Sequence, residues 1–295
     1  MSQNNAMLRA LSILTLAAVV AAGCKSIQHV KLTRPTFIKS VVSLSPSTTE
    51  IVATDAAQTL LRGRTAADDY PMSVPKSPAE IVASVKPDYQ KITEIHPELI
   101  VYDSALYGPS DAEKIKALGF ETVVIDADTV DGFETELWKM GDLLGYGTQF
   151  ADYIDRIRDE ANKALAEKIT PVPKVAMILA GNGGSPMIAG TKSFEADVIR
   201  IAGGDPVGPP VNNFVPASPE TLATLDPDII VLPTSEAHKN TDAASLLNSP
   251  TLQGLKAIKK KSIAPIDEEV AERRGARVDL FIKSLHNVLG AMGGK

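Results

Sequence analysis

Cysteine is nearly absent: Cys24 is the only one in 295 residues, so no intramolecular disulfide can form and no cysteine cluster can hold a metal. Aromatic residues make up 5% of the chain, with Trp138 the single tryptophan. The four histidines, His29, His96, His238 and His286, are scattered without an i, i+4 pair, which argues against a zinc site. Neither a G-x-S-x-G elbow nor an H-E-x-x-H helix is present. The stretch GGSPMIAGTKS (183–193) superficially suggests a phosphate loop. Thr191 separates Gly190 from Lys192, so the contiguous Gly-Lys-Ser/Thr of that loop is missing. Positive charge is not in excess either; the net charge of −6 argues against nucleic acid as the main partner. The acidic pairs Asp68-Asp69 and Asp267-Glu268-Glu269 read as exposed loop acids.

What is present is globular: 44% apolar and 22% charged residues, in a length that suits two ordinary domains. From Met7 the chain reads MLRALSILTLAAVVAAGC, one arginine and then an apolar run from Leu11 to Ala22. That run is too short for an ordinary membrane span and suits a secretion signal over residues 1–23. No later run reaches 18 apolar residues. Small residues just before Cys24 resemble a bacterial lipobox, with Ala21 in place of the usual leucine. Lipidation of Cys24 would hold a soluble domain on a membrane. Residues 24–37 then read as a polar tether.

Beyond the tether the pattern alternates. FIKSVVSLS is a buried strand, and PSTTEIVA a helix start with Ser and Thr ahead of Glu50. DYQKITEIHPELIVYD and DAEKIKALGFETVVID each give a helix, a break and a strand. This rhythm implies a mostly parallel sheet under helices over 38–130. Residues 131–170 carry almost no strand signal. Within them, 147–169 place Phe150, Ile154, Ile157, Ala161, Leu165 and Ile169 at helical spacing, a rod of about 35 Å. Alternation resumes over 171–295, closing on the helix in GARVDLFIKSLHNVLGAM. The expected fold is therefore α/β: two α/β lobes with mostly parallel sheets, joined by one long α-helix. One unit is written twice: SPETLATLDPDIIVL (218–232) overlays DYQKITEIHPELIVY (88–102), placing Glu220 on Gln90 and Pro227 on Pro97.

These segments resemble the class III periplasmic binding proteins, the Fe/B12 family of solute receptors for ABC importers of cobalamin, ferric siderophores and haem. The likeness is carried by VVSLSPSTTEIVA, GRTAADDYP, DYQKITEIHPELIVYD, GTKSFEADVIRIAGGDPV and RRGARVDLFIKSLHNVLG, covering 38–290. It implies a ligand cleft between the lobes, and a non-enzymatic, extracytoplasmic monomer, a lipoprotein of the periplasm or cell surface. Such a protein hands its ligand to an ABC permease dimer whose ATPase lies on separate chains. It carries no cofactor of its own. The resemblance also gives the doubled unit a role: each lobe of such receptors presents a glutamate that pairs with a permease arginine. Glu220 matches that position; Gln90 stands at the first-lobe equivalent, and Glu94, one turn later, can substitute.

In an α/β sheet the loops after the strands line the ligand crevice, which nominates Tyr70, Tyr102 and Tyr107. Phe214 matches a cleft aromatic of cobalamin receptors, and Arg273 and Arg274 offer guanidinium groups for anionic ferric complexes. Ser45 and Asp267 complete the expected ligand contacts. The ligand reads as cobalamin or another corrinoid or iron chelate, with a ferric siderophore or haem as the alternative. A surface lipoprotein without a small ligand, or a tetrapyrrole or metal enzyme of similar build, are lesser readings; the second would need cysteines facing the cleft.

Overall fold

The computed structural model describes residues 37–54, 57–84, 86–179 and 186–293. The signal-like run, Cys24 and nearly all of the tether lie outside the described residues.

The first lobe is a five-stranded parallel sheet: β1 (Val41–Ser43), β2 (Leu61–Thr65), β3 (Glu80–Ala83), β4 (Leu99–Asp103) and β5 (Glu121–Ile125), in the order β3-β2-β1-β4-β5. The chain moves outward from β1 to β2 and β3, then returns to place β4 on the other side of β1. That reversal makes the carboxyl ends of β1 and β4 the predicted crevice. Among the described residues, the helices α1 (Pro46–Ala53), α2 (Tyr89–Ile95) and α3 (Pro109–Ala117) serve this lobe. Ser45 starts α1 by accepting from the Thr48 amide at 3.2 Å, with Pro46 at the first helical position.

The link holds two helices. The rod expected over 147–169 is α5 (Gly147–Ala166), about 30 Å long, and α4 (Val130–Leu144) precedes it. Gly145 separates them at φ 77°, a left-handed turn that a side chain would strain, and a Cβ there would also strike Phe37.

The second sheet is mixed. β6 (Lys174–Leu179), β10 (Ile229–Thr234) and β11 (Ile263–Asp267) run parallel, while β7 (Met187–Ala189) and β9 (Phe214–Pro216) add antiparallel strands, in the order β11-β10-β6-β7-β9. The two-residue β8 (Asp205–Pro206) pairs with β6 beside them. Among the described residues, α6 (Phe194–Ile201), α7 (Pro219–Leu225), α8 (Lys239–Leu247), α9 (Lys256–Lys259) and α10 (Glu268–Ala271) accompany this sheet. The closing helix, α11 (Val278–Gly293), packs against α5 and α6.

One apolar core crosses the whole body. It contains Val41 and Ile51 of the first lobe, Val175 and Val231 of the second, and Phe133, Phe150, Ile154, Phe281 and Leu285 of α4, α5 and α11. The spine is thus part of the core of both lobes, and bending it would open close-packed surface.

The doubled unit is duplicated down to its capping. Asp88 caps α2 through the Lys91 amide, and Ser218 caps α7 through the Thr221 amide. Both helices end on a non-glycine residue in the left-handed region, His96 at φ 50° and Asp226 at φ 43°, followed by proline. The next acid then reaches the start of the neighbouring strand: the Lys39 amide donates to Glu98, and the Lys174 amide to Asp228 at 3.0 Å.

Candidate binding cleft between the lobes

The crevice expected at the ends of β1 and β4 is occupied at its root by a charged network. Glu50, on α1, is 1% exposed. It accepts from Arg273 Nη1 at 3.1 Å, from Arg277 Nη2 at 2.5 Å and Nε at 3.2 Å, and from the Ala276 amide at 3.2 Å. Arg273 also donates to Asp69 at 2.6 Å, and Arg274 donates to Asp103 and, at 2.8 Å, to the Ala127 carbonyl. The segment RRGAR, between α10 and α11, therefore ties the second half of the chain to the strand ends of the first lobe. Gly275 is required by closeness: a Cβ there would lie 2.5 Å from Glu50 Oε2. Tyr153 of the spine locks the same segment, donating to the Gly275 carbonyl at 2.6 Å and accepting from the Val278 amide. Burial works against the charge of Arg273, but its bonds to Asp69 and Glu50 outweigh that and raise its pKa. Asp69 is correspondingly held low: burial opposes ionisation there, and the Arg273 bond overcomes it.

Above this root lie two adjoining cavities that share Ala105 and Glu272. The larger, about 470 Å³, is walled by Ser104, Asp126 and Asp128 of the first lobe and by Phe194, Glu195, Asn212, Asn213 and Phe214 of the second, with Arg274 behind. The smaller, about 310 Å³, lies among Ser47, Asp103, Leu106, Glu268, Glu269 and Arg273. Asn212 Nδ2 donates to Asp128 Oδ2 at 3.2 Å, so the two lobes touch along the larger cavity. Glu272 has its carboxyl pushed up to about 7, first by burial and then by the neighbouring Glu268 and Glu195. Burial likewise raises Glu195.

The structure redistributes the residues nominated from sequence. Phe214 lines the larger cavity and is half-buried. Arg273 and Arg274 reach the cavity walls, but their guanidinium groups are already taken by Glu50, Asp69 and Asp103, which corrects the expectation that they await an anionic ligand. Tyr102 and Tyr107 are corrected too. Even-numbered side chains of β4 face the outer core of the first lobe, and Tyr102 is 2% exposed among Ile100, Ile115 and Tyr107. The Tyr107 hydroxyl donates to the Leu44 carbonyl at 2.7 Å, and burial pushes its pKa up to about 12. Both rings support the turn after β1 without entering the cleft. Ser45 is fully buried as a helix cap, and Ser47 takes the cavity position, donating to Asp103 at 2.9 Å. Asp267 caps α10 through the Glu269 amide, while the next two acids line the smaller cavity. Tyr70 is half-exposed, with the Arg277 guanidinium 4.4 Å from its ring centroid.

Sequence reasoning missed Glu50, Asp126, Asp128, Glu195, Asn212 and Glu272. The one available signal was Glu50, an acid inside an otherwise neutral helical turn, matched to a cluster of three arginines 223 to 227 residues later.

Glu220 lies exposed in the first turn of α7, and its carboxyl is held below the usual range by its own amide and by Ser218. Gln90 occupies the same turn of α2 and donates to Glu94 at 2.9 Å. All three side chains are on the surface. Cys24 lies outside the described residues.

Two α/β lobes on a packed helical spine, with a polar cavity walled by both, define a cleft-type binding protein. The chain belongs to the periplasmic binding protein family, whose model matches residues 41–270. It is 24% identical over 277 residues to the high-affinity heme uptake system protein IsdE of Staphylococcus aureus (strain MRSA252), covering 89% of this chain and 90% of that protein. Among solved structures it resembles the periplasmic vitamin B12 binding protein BtuF of Vibrio cholerae, with a TM-score of 0.74 and 17% identity over 88% of this chain and 100% of that one. It also resembles a periplasmic heme binding protein from Pseudomonas aeruginosa, with a TM-score of 0.71 and 21% identity over 88% and 94%. At these identities the structural likeness speaks for the fold.

Proposed function

We propose that this chain is the solute-binding protein of an ABC importer, held at the membrane through a lipidated Cys24, that captures a cobalamin or another corrinoid or iron-chelate ligand between its lobes and delivers it to a permease. The observation that carries this reading is the cavity walled by both lobes above the Glu50 network. Haem uptake by a relative makes haem the second reading. Chemistry favours the first. Haem receptors need an axial donor, commonly His, Met, Cys or Tyr, and none of these is among the described residues lining the two cavities. A corrinoid or a hexadentate chelate brings its metal already coordinated. Nor do the described residues include a group of three or more His, Cys, Asp or Glu able to hold a bare ion. The role is binding, with no chemistry on the ligand. Calorimetric titration with cobalamin, haemin and a panel of ferric siderophores tests it; no heat and no thermal shift with any of them overturns it.

Docking would use Glu220 on α7 and, on α2, Glu94 with Gln90, each pairing with permease arginines and setting orientation more than affinity. The duplicated capping of α2 and α7 supports it, because it presents the two helix starts in equivalent settings. Charge reversal at Glu220 and at Glu94 should cut uptake while ligand binding persists; unchanged uptake in both removes the docking role. Lipidation is tested by Cys24→Ala, which should release the chain from the membrane fraction.

A further inference from the structure

The cleft has an electrostatic sign that the family assignment does not supply. Seven carboxylates line the two adjoining cavities: Asp103, Asp126, Asp128, Glu195, Glu268, Glu269 and Glu272. Among the described residues three cations oppose them, Arg273, Arg274 and Arg277, the last pairing with Glu50 and Glu269. Arg274 is spent on Asp103, and Arg273 on Glu50, Asp69 and Glu269. The remaining five acids have no cation within ion-pair distance among the described residues. They belong to separate elements on both sides of the cleft: Asp126 and Asp128 follow β5, Glu195 lies in the first turn of α6, Glu268 opens α10 and Glu272 follows it. The larger cavity adds the rings of Phe194 and Phe214 and the amides of Asn212 and Asn213. Carboxylates beside aromatic faces recognise positive charge and hydrogen-bond donors, and they repel carboxylates, catecholates and phosphates.

Resting on the transport reading above, we propose that the cleft selects a ligand that is cationic, or bears amide and ammonium donors, on the surface it presents to Asp126, Asp128 and Glu272, and discriminates against polyanionic complexes. A corrinoid with its amide side chains and a ferric hydroxamate carrying an ammonium tail both meet this requirement. A haem with two free propionates and a ferric tricatecholate do not.

The experiment uses two scaffolds in which charge alone is varied. One is cyanocobalamin with its monocarboxylate and its aminoalkyl-amide derivative. The other is ferrioxamine B, which carries an ammonium, with its N-acetyl and N-succinyl derivatives. Dissociation constants are measured by calorimetry at pH 8. The cationic member of each scaffold that binds should be at least about tenfold tighter than its anionic member. The Asp126→Asn, Glu272→Gln double variant should narrow that spread to about threefold or less. Asp126→Asn alone, at an exposed position, gives the same readout in part if the double variant folds poorly. An anionic member that binds as tightly as its cationic partner, or a spread unchanged in the variants, overturns the inference and leaves the transport reading standing. Absence of binding across both scaffolds and across haemin overturns both.

Discussion

Replacing Glu50 by glutamine removes one charge from the root of the cleft and almost no volume. In the native structure that carboxylate is 1% exposed and serves Arg273, Arg277 and the Ala276 amide together. Breaking a buried ion pair from one side leaves uncompensated charge and costs about 3–5 kcal/mol. Arg273 keeps Asp69 at 2.6 Å and Arg277 keeps Glu269 at 3.4 Å, so the lower end, about 3 kcal/mol, is expected. For a body of this size that corresponds to a fall in Tm of roughly 6–12 °C. Urea and thermal unfolding of Glu50→Gln, Arg277→Gln and the double variant would give the coupling between the two, expected at about 1–3 kcal/mol. A Glu50→Gln loss under about 1 kcal/mol, or additive single effects, would refute the claim that this network fastens the lobes.

Three further outcomes follow from the same geometry. Burial, with the neighbouring Glu268 and Glu195, pushes the Glu272 carboxyl up from about 4.5 to about 7 on folding, so the folded state holds the extra proton between those values. Its contribution to stability is therefore full below about pH 4.5 and is lost as pH rises through 7, and Glu272→Gln should flatten that part of a Tm-against-pH curve. Tyr107→Phe should cost about 1–2 kcal/mol in urea unfolding, because the buried Leu44 carbonyl loses its hydroxyl partner; no loss would mean the tyrosine only fills space. Since the spine is shared core, small-angle scattering should show little change in radius of gyration on adding a bound ligand, and marked compaction would contradict a rigid spine.

What the sequence by itself determined is local and periodic. The apolar strands, the proline and glycine stops, the 3.6-residue stripe of α5 and the twice-written helix–proline–strand unit were legible because each depends on residues close in the chain. They sufficed for two α/β lobes and a helical link. Tertiary structure alone decided the cleft. Glu50 and Arg277 are 227 residues apart, and no spacing rule predicts that they meet. The tyrosines of β4 and its loop turned inward because a strand alternates faces, and the choice of face is set by what packs above it. The arginines, legible as free cations, became structural once three distant carboxylates closed on them. The same closure left five acids from separate elements facing two adjoining cavities, so the sign of the site arose from convergence, a property that no single segment of the chain carries.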